Sequence, residues 1–177
     1  MRKTDFAVEH VLKDIKDQPG VLQTLRSSTQ LAQATNAFGI LFRYLSENDL
    51  SVTGTPTYME NAVFLTAHYF AILNQAQTVP DGETSLFKAL GRKANDALDR
   101  RVNNVFYASN SFPSVVNQLN HLVPIVKQSL HDLDYKQLAY DLYQLQFGSD
   151  AASRVIIRWG QDYTLGAFSH KDESEDE

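Results

Sequence analysis

An all-α fold, a compact helical bundle, is predicted for this chain of 177 residues on three observations. Apolar residues recur at steps of three and four wherever the spacing can be judged, and no stretch alternates between hairpin signals. Residues that start and stop helices punctuate the apolar runs. Hydrophobic residues make up 43% and charged residues 21%, which is globular composition. At this length the chain can bury roughly 70% of the surface its unfolded form exposes. No covalent staple is available, because the sequence contains no cysteine. That excludes disulfides, cysteine-ligated zinc, iron-sulfur clusters and thiol catalysis, and it fits a reducing cytoplasm.

The first helix is expected from about Asp5 to Asp17, stopped by Pro19-Gly20. A second begins near Val21 and covers Leu22, Leu25 and Arg26, and a third spans Asn36 to Leu45. Thr57 and Glu60 have capping-box spacing, in which each side chain satisfies the other residue's free backbone N–H. The apolar helix they open runs to Gln75. Its run from Ala62 to Leu73 is broken by Thr66 and His68 and falls short of the ~20 residues a membrane span needs. The start of the chain, with Glu9, Lys13 and Asp14, lacks the apolar stretch of a signal peptide.

Residues 75–84, containing Pro80-Asp81-Gly82, form the best loop and the one candidate boundary between two small helical lobes, 1–80 and 81–168. Beyond it Ser85 to Tyr107 reads as one helix, and Ser111-Phe112-Pro113 opens another. Val116, Leu119, Val123, Val126 and Leu130 make a seam that Pro124 is expected to kink. Asp134 with Gln137 repeats the capping-box spacing, and Tyr135, Leu138, Leu142 and Leu145 form the next seam, ending at Gly148. A last helix runs from about Ser149 to Phe168. Residues 169–177 form an acidic tail. From Lys171 onward it has no apolar residue to offset the entropy of ordering, so it is expected to be disordered.

The formal net charge of -5 is unevenly distributed. Residues 1–81 carry six Lys or Arg against eight Asp or Glu, residues 82–170 carry nine against eight, and residues 171–177 carry one against five. The tail holds most of the acidity, and the body is nearly neutral. Within it, Ser85 to Arg101 has five basic residues against Asp96 and Asp99. Wound as one helix, the segment puts Leu86, Phe87, Leu90, Ala94, Ala97 and Leu98 on one arc and Lys88, Arg92, Lys93 and Arg100 on the other. Such a stripe presents cations to a phosphate backbone, and an ordinary solvated face has the same pattern. The same winding places Arg101 among the apolar positions, where its guanidinium needs a carboxylate or a phosphate. Gly91, inside the segment, implies close approach by another helix or by a ligand backbone, with helix packing the favoured reading. Arg154 and Arg158 stand one turn apart beside Trp159, a core anchor or a stacking surface, and Arg26 and Arg43 sit in mainly apolar helices.

No catalytic pattern is present. His121, His131, Asp132 and Asp134 lie near helix ends without an established ligand spacing. There is no nucleophile elbow, phosphate-cradling glycine loop or dinucleotide fingerprint. No catalytic residue, metal or cofactor is expected.

The order of motifs in the second half of the chain resembles the CasB family, the small subunit of the type I-E CRISPR surveillance complex Cascade. The matching residues are Ser85-Leu86, Ala89-Leu90, Arg100-Arg101, the Leu119, Leu122, Val123 seam, Asp134-Tyr135, Leu138-Ala139, Asp141-Leu142, Arg158-Trp159 and Asp162-Tyr163. Leu25-Arg26 and Phe42-Arg43 agree more loosely. Lys88 stands where the family tends to have arginine, which keeps the charge and loses the bidentate fork, and Ser27 stands where a second arginine often follows.

The resemblance implies a non-catalytic helical subunit, present as two copies and contacting the backbone and large subunits, the CRISPR RNA and target DNA, with no membrane. Basic residues would hold phosphates of the target and displaced strands. On homology and charge the candidates are Lys88, Arg92, Lys93, Arg100, Arg101, Lys127, Arg154 and Arg158, followed by Arg26 and Arg43. The alternative is a helical scaffold or regulatory adaptor that binds partner helices and no nucleic acid.

Overall fold

Tyr58–Leu73, α4, is buried along almost its whole length, so the other helices are arranged around it. The computed structural model describes the backbone of residues 1–74 and 80–175 and side chains as far as Ser169. Nine α-helices and a few 3-10 turns lie among those residues, and the only β feature is one isolated bridge. No helix of the described residues is long and apolar enough to cross a membrane.

Helix α1, Lys3–Ile15, buries Ala7, Val8, Val11, Leu12 and Ile15 at helical spacing. Helix α2, Pro19–Ser27, takes Pro19 into its first turn and therefore starts two residues before Val21. The third expected helix is shorter than its spacing suggests. Only Phe38–Leu41, α3, is α-helical, preceded by 3-10 turns, and the exposed Gly39 within it weakens helix propagation. The capping box that opens α4 is present. Thr57 Oγ1 accepts from the Glu60 amide at 3.1 Å and Glu60 Oε2 accepts from the Thr57 amide at 2.6 Å.

Gln75, the expected end of this helix, and the first five residues of the 75–84 loop lie outside the described residues. The far end of the loop is tied down. Thr84 donates its amide to the Asp132 carbonyl at 2.9 Å, and its own carbonyl accepts from the Asp134 amide at 2.8 Å. A Cβ on Gly82 would lie 2.0 Å from the Asp132 backbone, so only glycine fits there.

The segment Ser85 to Tyr107 is two helices and not one. Helix α5, Leu86–Gly91, and helix α6, Asp96–Tyr107, are separated at Arg92–Asn95. Asn95 ends the first register and starts the second, because its side chain accepts from the amides of Ala97 and Leu98, each at 3.0 Å. Helix α7, Phe112–Leu122, begins at a Ser111 cap and stops before Pro124, which sits in a 3-10 turn, Val123–Val126. Pro124 thus ends the helix instead of kinking it, since it cannot donate the amide that α7 would need. Leu119, Val123, Val126 and Leu130 of the expected seam are buried and Val116 is half-buried.

Helix α8, Tyr135–Gln144, is capped by Asp134, which accepts from the Gln137 amide at 2.9 Å. The expected reciprocal bond is replaced, as the Gln137 side chain turns inward to Asp141. Helix α9, Ser149–Glu175, has helical backbone beyond Phe168, where the sequence places its end. Extending a formed helix needs no new nucleus, whatever the apolar content of the added turns.

Helix α8 packs on both α1 and α4, and α5 lies along α9, so one hydrophobic cluster runs through residues from both sides of position 81. The α5–α9 approach is close because it is glycine on glycine. A Cβ on Gly91 would lie 2.1 Å from the Tyr163 carbonyl oxygen, and one on Gly166 would lie 2.1 Å from that of Lys88. Gly91 therefore serves helix packing, as its position implies.

Candidate nucleic-acid interface

Ion pairing divides the basic residues into two groups. Glu9 and Asp81 share Lys13 and Lys136, with contacts of 2.6 Å for Lys13–Glu9, 2.9 Å for Lys136–Glu9 and 3.2 Å for Lys136–Asp81. The two lysines hold the Glu9 carboxyl down at about 2, well below the usual carboxylate range. Arg43 pairs with Asp14 at 3.0 Å, Lys3 with Asp49 at 3.7 Å and Arg2 with Asp5 at 2.8 Å. Arg26 Nε donates to the Ala71 carbonyl at 3.0 Å, satisfying the last turn of α4. Lys127 is half-buried and has a partner.

Arg158 also has an internal role. Its guanidinium pairs with Asp141, which is 3% exposed, while Trp159 Nε1 donates to the other Asp141 oxygen at 2.6 Å. Gln137 donates to Asp141 at 2.6 Å and accepts from Arg2 at 3.0 Å, so a continuous polar chain ties α1, α8 and α9. The Trp159 ring is buried and stacks on Phe87 with centroids 4.5 Å apart, and Phe87 in turn meets Phe106 at 5.9 Å. Trp159 is a core anchor, without a free face on which a base could stack.

Burial pushes the Asp141 carboxyl up to about 6, against the opposing influence of Arg158, Trp159 and Gln137. Its ordinary value is 3.8. Between roughly pH 4 and 6 the folded chain therefore holds a proton that the unfolded chain releases, and this group's contribution to stability falls as pH rises through that window. His68 on α4 works in the opposite sense. Burial pushes it below its ordinary value, against the hydrogen bond to the Leu25 carbonyl at 2.6 Å, so it costs stability as pH falls. The measurable quantity is thus the difference between wild type and Asp141→Asn. Urea midpoints at pH 4.5 and 7 are expected to show the wild type gaining relative to the variant at the lower pH.

Lys88, Arg92, Lys93, Arg100, Arg101 and Arg154 have no hydrogen-bond or ion-pair partner among the described residues. Five of these six lie in the stretch Lys88–Arg101. Lys88 is half-buried on α5, Arg92 and Lys93 are exposed in the turn after it, and Arg100 and Arg101 are exposed on α6. The break at Arg92–Asn95 changes the expected stripe. Because α6 starts in a new register, Arg101 is exposed and not among the apolar positions, and Ala97 is exposed while Leu98, Val102 and Val105 face the core. Arg154 is exposed on α9.

The remaining candidates for chemistry are accounted for locally. Asp132 accepts from the Thr84 hydroxyl at 2.7 Å, Asp134 caps α8, and His121 and His131 are exposed. A groove between α4 and α7 has an apolar floor of Phe64, Leu65, Phe112 and Val116 and an amide rim of Asn61, Asn117 and Asn120. No carboxyl, imidazole or amine lines it, so it offers no side chain for acid-base catalysis. The role of Asp141 was not visible from spacing, although an aspartate between Leu138 and Leu142 in an apolar seam is the signal that could have revealed it.

The same arrangement of helices occurs in a solved structure, the crystal structure of CasB from Thermobifida fusca. The likeness has a TM-score of 0.68 at 21% identity and covers 93% of this chain and 99% of that one. No curated protein gives a match. The family model of CRISPR-associated protein Cse2 matches residues 22–163, a span that holds α5, α6, the Asp141 clamp and all six cations without partners. A match over most of the length, with helices in the same arrangement, means that the chain belongs to the CRISPR-associated Cse2 family.

Proposed function

We propose that this chain is the non-catalytic small subunit of an RNA-guided Cascade complex, and that it stabilises the R-loop by sequence-independent contacts to DNA phosphates while bridging other subunits. The observation that carries the reading is the segregation of cations. Those of the first half are paired within the fold, Arg26 with the Ala71 carbonyl and the others with carboxylates, whereas Lys88, Arg92, Lys93, Arg100 and Arg101, with Arg154 on α9, have no partner among the described residues and are available to an external anion. R-loop formation is a near-balanced exchange of one duplex for another, so a few kcal/mol of backbone contact decides whether it persists. Phosphate contacts carry no sequence information, as suits a complex whose specificity resides in guide pairing.

A chain with net charge -5 has weak affinity for DNA when free, and effective concentration within the assembly raises it. Ile157, Leu165 and Phe168 are exposed along α9 and provide apolar surface for neighbouring subunits, including a second copy.

Purification of the tagged chain from its native cells, with sequencing of bound RNA and measurement of subunit stoichiometry, tests this. Guide RNA of uniform length with several protein partners is expected. Recovery of partners without RNA would replace the reading with that of a helical scaffold or adaptor.

A further inference from the structure

Tyr107, at the C-terminal end of α6, is 84% exposed. At 100° per residue, Arg100, Asn103, Asn104 and Tyr107 fall on one arc of the helix, with Arg101 at its edge and Asp96 one turn before Arg100. Leu98, Val102 and Val105 occupy the opposite side and are buried. All five residues from Arg100 to Tyr107 on the outer face are exposed, and neither arginine has a partner among the described residues. Nothing in the fold requires an aromatic ring there, since the neighbouring Phe106 makes the contact to Phe87 and lies 3.9 Å from the site of a Cβ on Gly160.

The face thus combines two unpaired guanidinium groups, two side-chain amides and a free aromatic ring within about 10 Å of helix. This is the chemistry of single-strand binding, in which cations follow the phosphates and an aromatic face receives a base. A base-paired duplex can satisfy the arginines but offers no base to the ring.

We propose that Tyr107 is a base-stacking position and that the outer face of α6 holds one strand by both phosphate and base. The inference rests on the R-loop reading, which supplies the occupant. In an R-loop the target strand's bases are paired with the guide, so the displaced strand is the one whose bases are free to stack on Tyr107.

The test uses the assembled complex and two targets, one with an ordinary displaced strand and one whose displaced strand is abasic, so that phosphates are present without bases. Tyr107→Ala is expected to weaken binding of the ordinary target about five-fold or more and to leave the abasic target unaffected. Tyr107→Trp should bind the ordinary target at least as well as wild type. Because the side chain is solvent-exposed, neither change threatens folding. Arg100→Glu with Arg101→Glu should weaken both targets. Equal losses on the two targets with Tyr107→Ala, or no loss on the ordinary one, would overturn the stacking role while the charge reversals still weaken binding. Charge reversals that are silent on both targets would overturn the R-loop reading beneath it.

Discussion

Asp141→Ala is expected to destabilise the chain by about 2–3 kcal/mol, because it leaves the buried Trp159 indole N–H without its acceptor and the Arg158 guanidinium, which is partly exposed to solvent, without its partner. The loss of the pair matters more than the value of the pair itself. Burying an ion pair gains little relative to apolar residues of the same size, whereas removing one partner leaves an uncompensated charge. Asp141 also receives Gln137, through which it is linked to Arg2 at the start of α1, so three helices share the consequence. Asp141→Asn retains an acceptor for one donor and is expected to cost less. Urea denaturation followed by circular dichroism provides the measurement, and a loss below about 1 kcal/mol for Asp141→Ala would mean that solvent readily replaces the carboxylate.

A methyl group at either glycine of the α5–α9 contact should have an effect of nearly the same size. Gly91→Ala and Gly166→Ala each place a Cβ 2.1 Å from a backbone carbonyl oxygen of the facing helix, and backbone cannot move aside as a flexible side chain would. Overpacking typically costs about 1–3 kcal/mol, and this geometry puts both changes at the upper end. The helices must separate, which shifts Lys88, Arg92 and Lys93 and weakens the Phe87–Trp159 stack. Gly39→Ala is the control. Nothing lies within 4 Å of a Cβ there, and alanine in the short helix α3 should stabilise by up to about 1 kcal/mol. Thermal melts of the three variants should separate the two packed glycines from the open one.

Much of this structure was legible in the sequence wherever the signal was local. Thr57 and Glu60 mark a helix start because their side chains need only each other's amides, and the bonds formed are the expected ones. The seam on α8 and the proximity demanded by Gly91 were legible for the same reason, since periodicity and the missing side chain are properties of one segment. The break between α5 and α6 was less visible. Leu90, Ala94 and Leu98 continue a helical spacing through it, and only the Asn95 cap separates the registers. That one break moves Arg101 from the apolar side to the surface.

The division between structural and available cations depends on tertiary pairing and could not be read from composition. Arg158 and Arg154 look alike one turn apart in the sequence, yet Arg158 faces Asp141, seventeen residues earlier on another helix, while Arg154 faces outward. Arg43 likewise meets Asp14 across 29 positions. Local charge counts treat such residues as equivalent. The fold separates them by what each guanidinium touches.

The most direct measurement of the proposed phosphate contacts is the salt dependence of target binding by the complete complex carrying Arg100→Glu and Arg101→Glu. Affinity is expected to fall on every target sequence alike, and the slope of log affinity against log salt is expected to decrease by about 1 to 2, as two phosphate contacts are lost. Unchanged affinity and slope in an intact complex would contradict the assignment of these cations to DNA and leave them a solvated face.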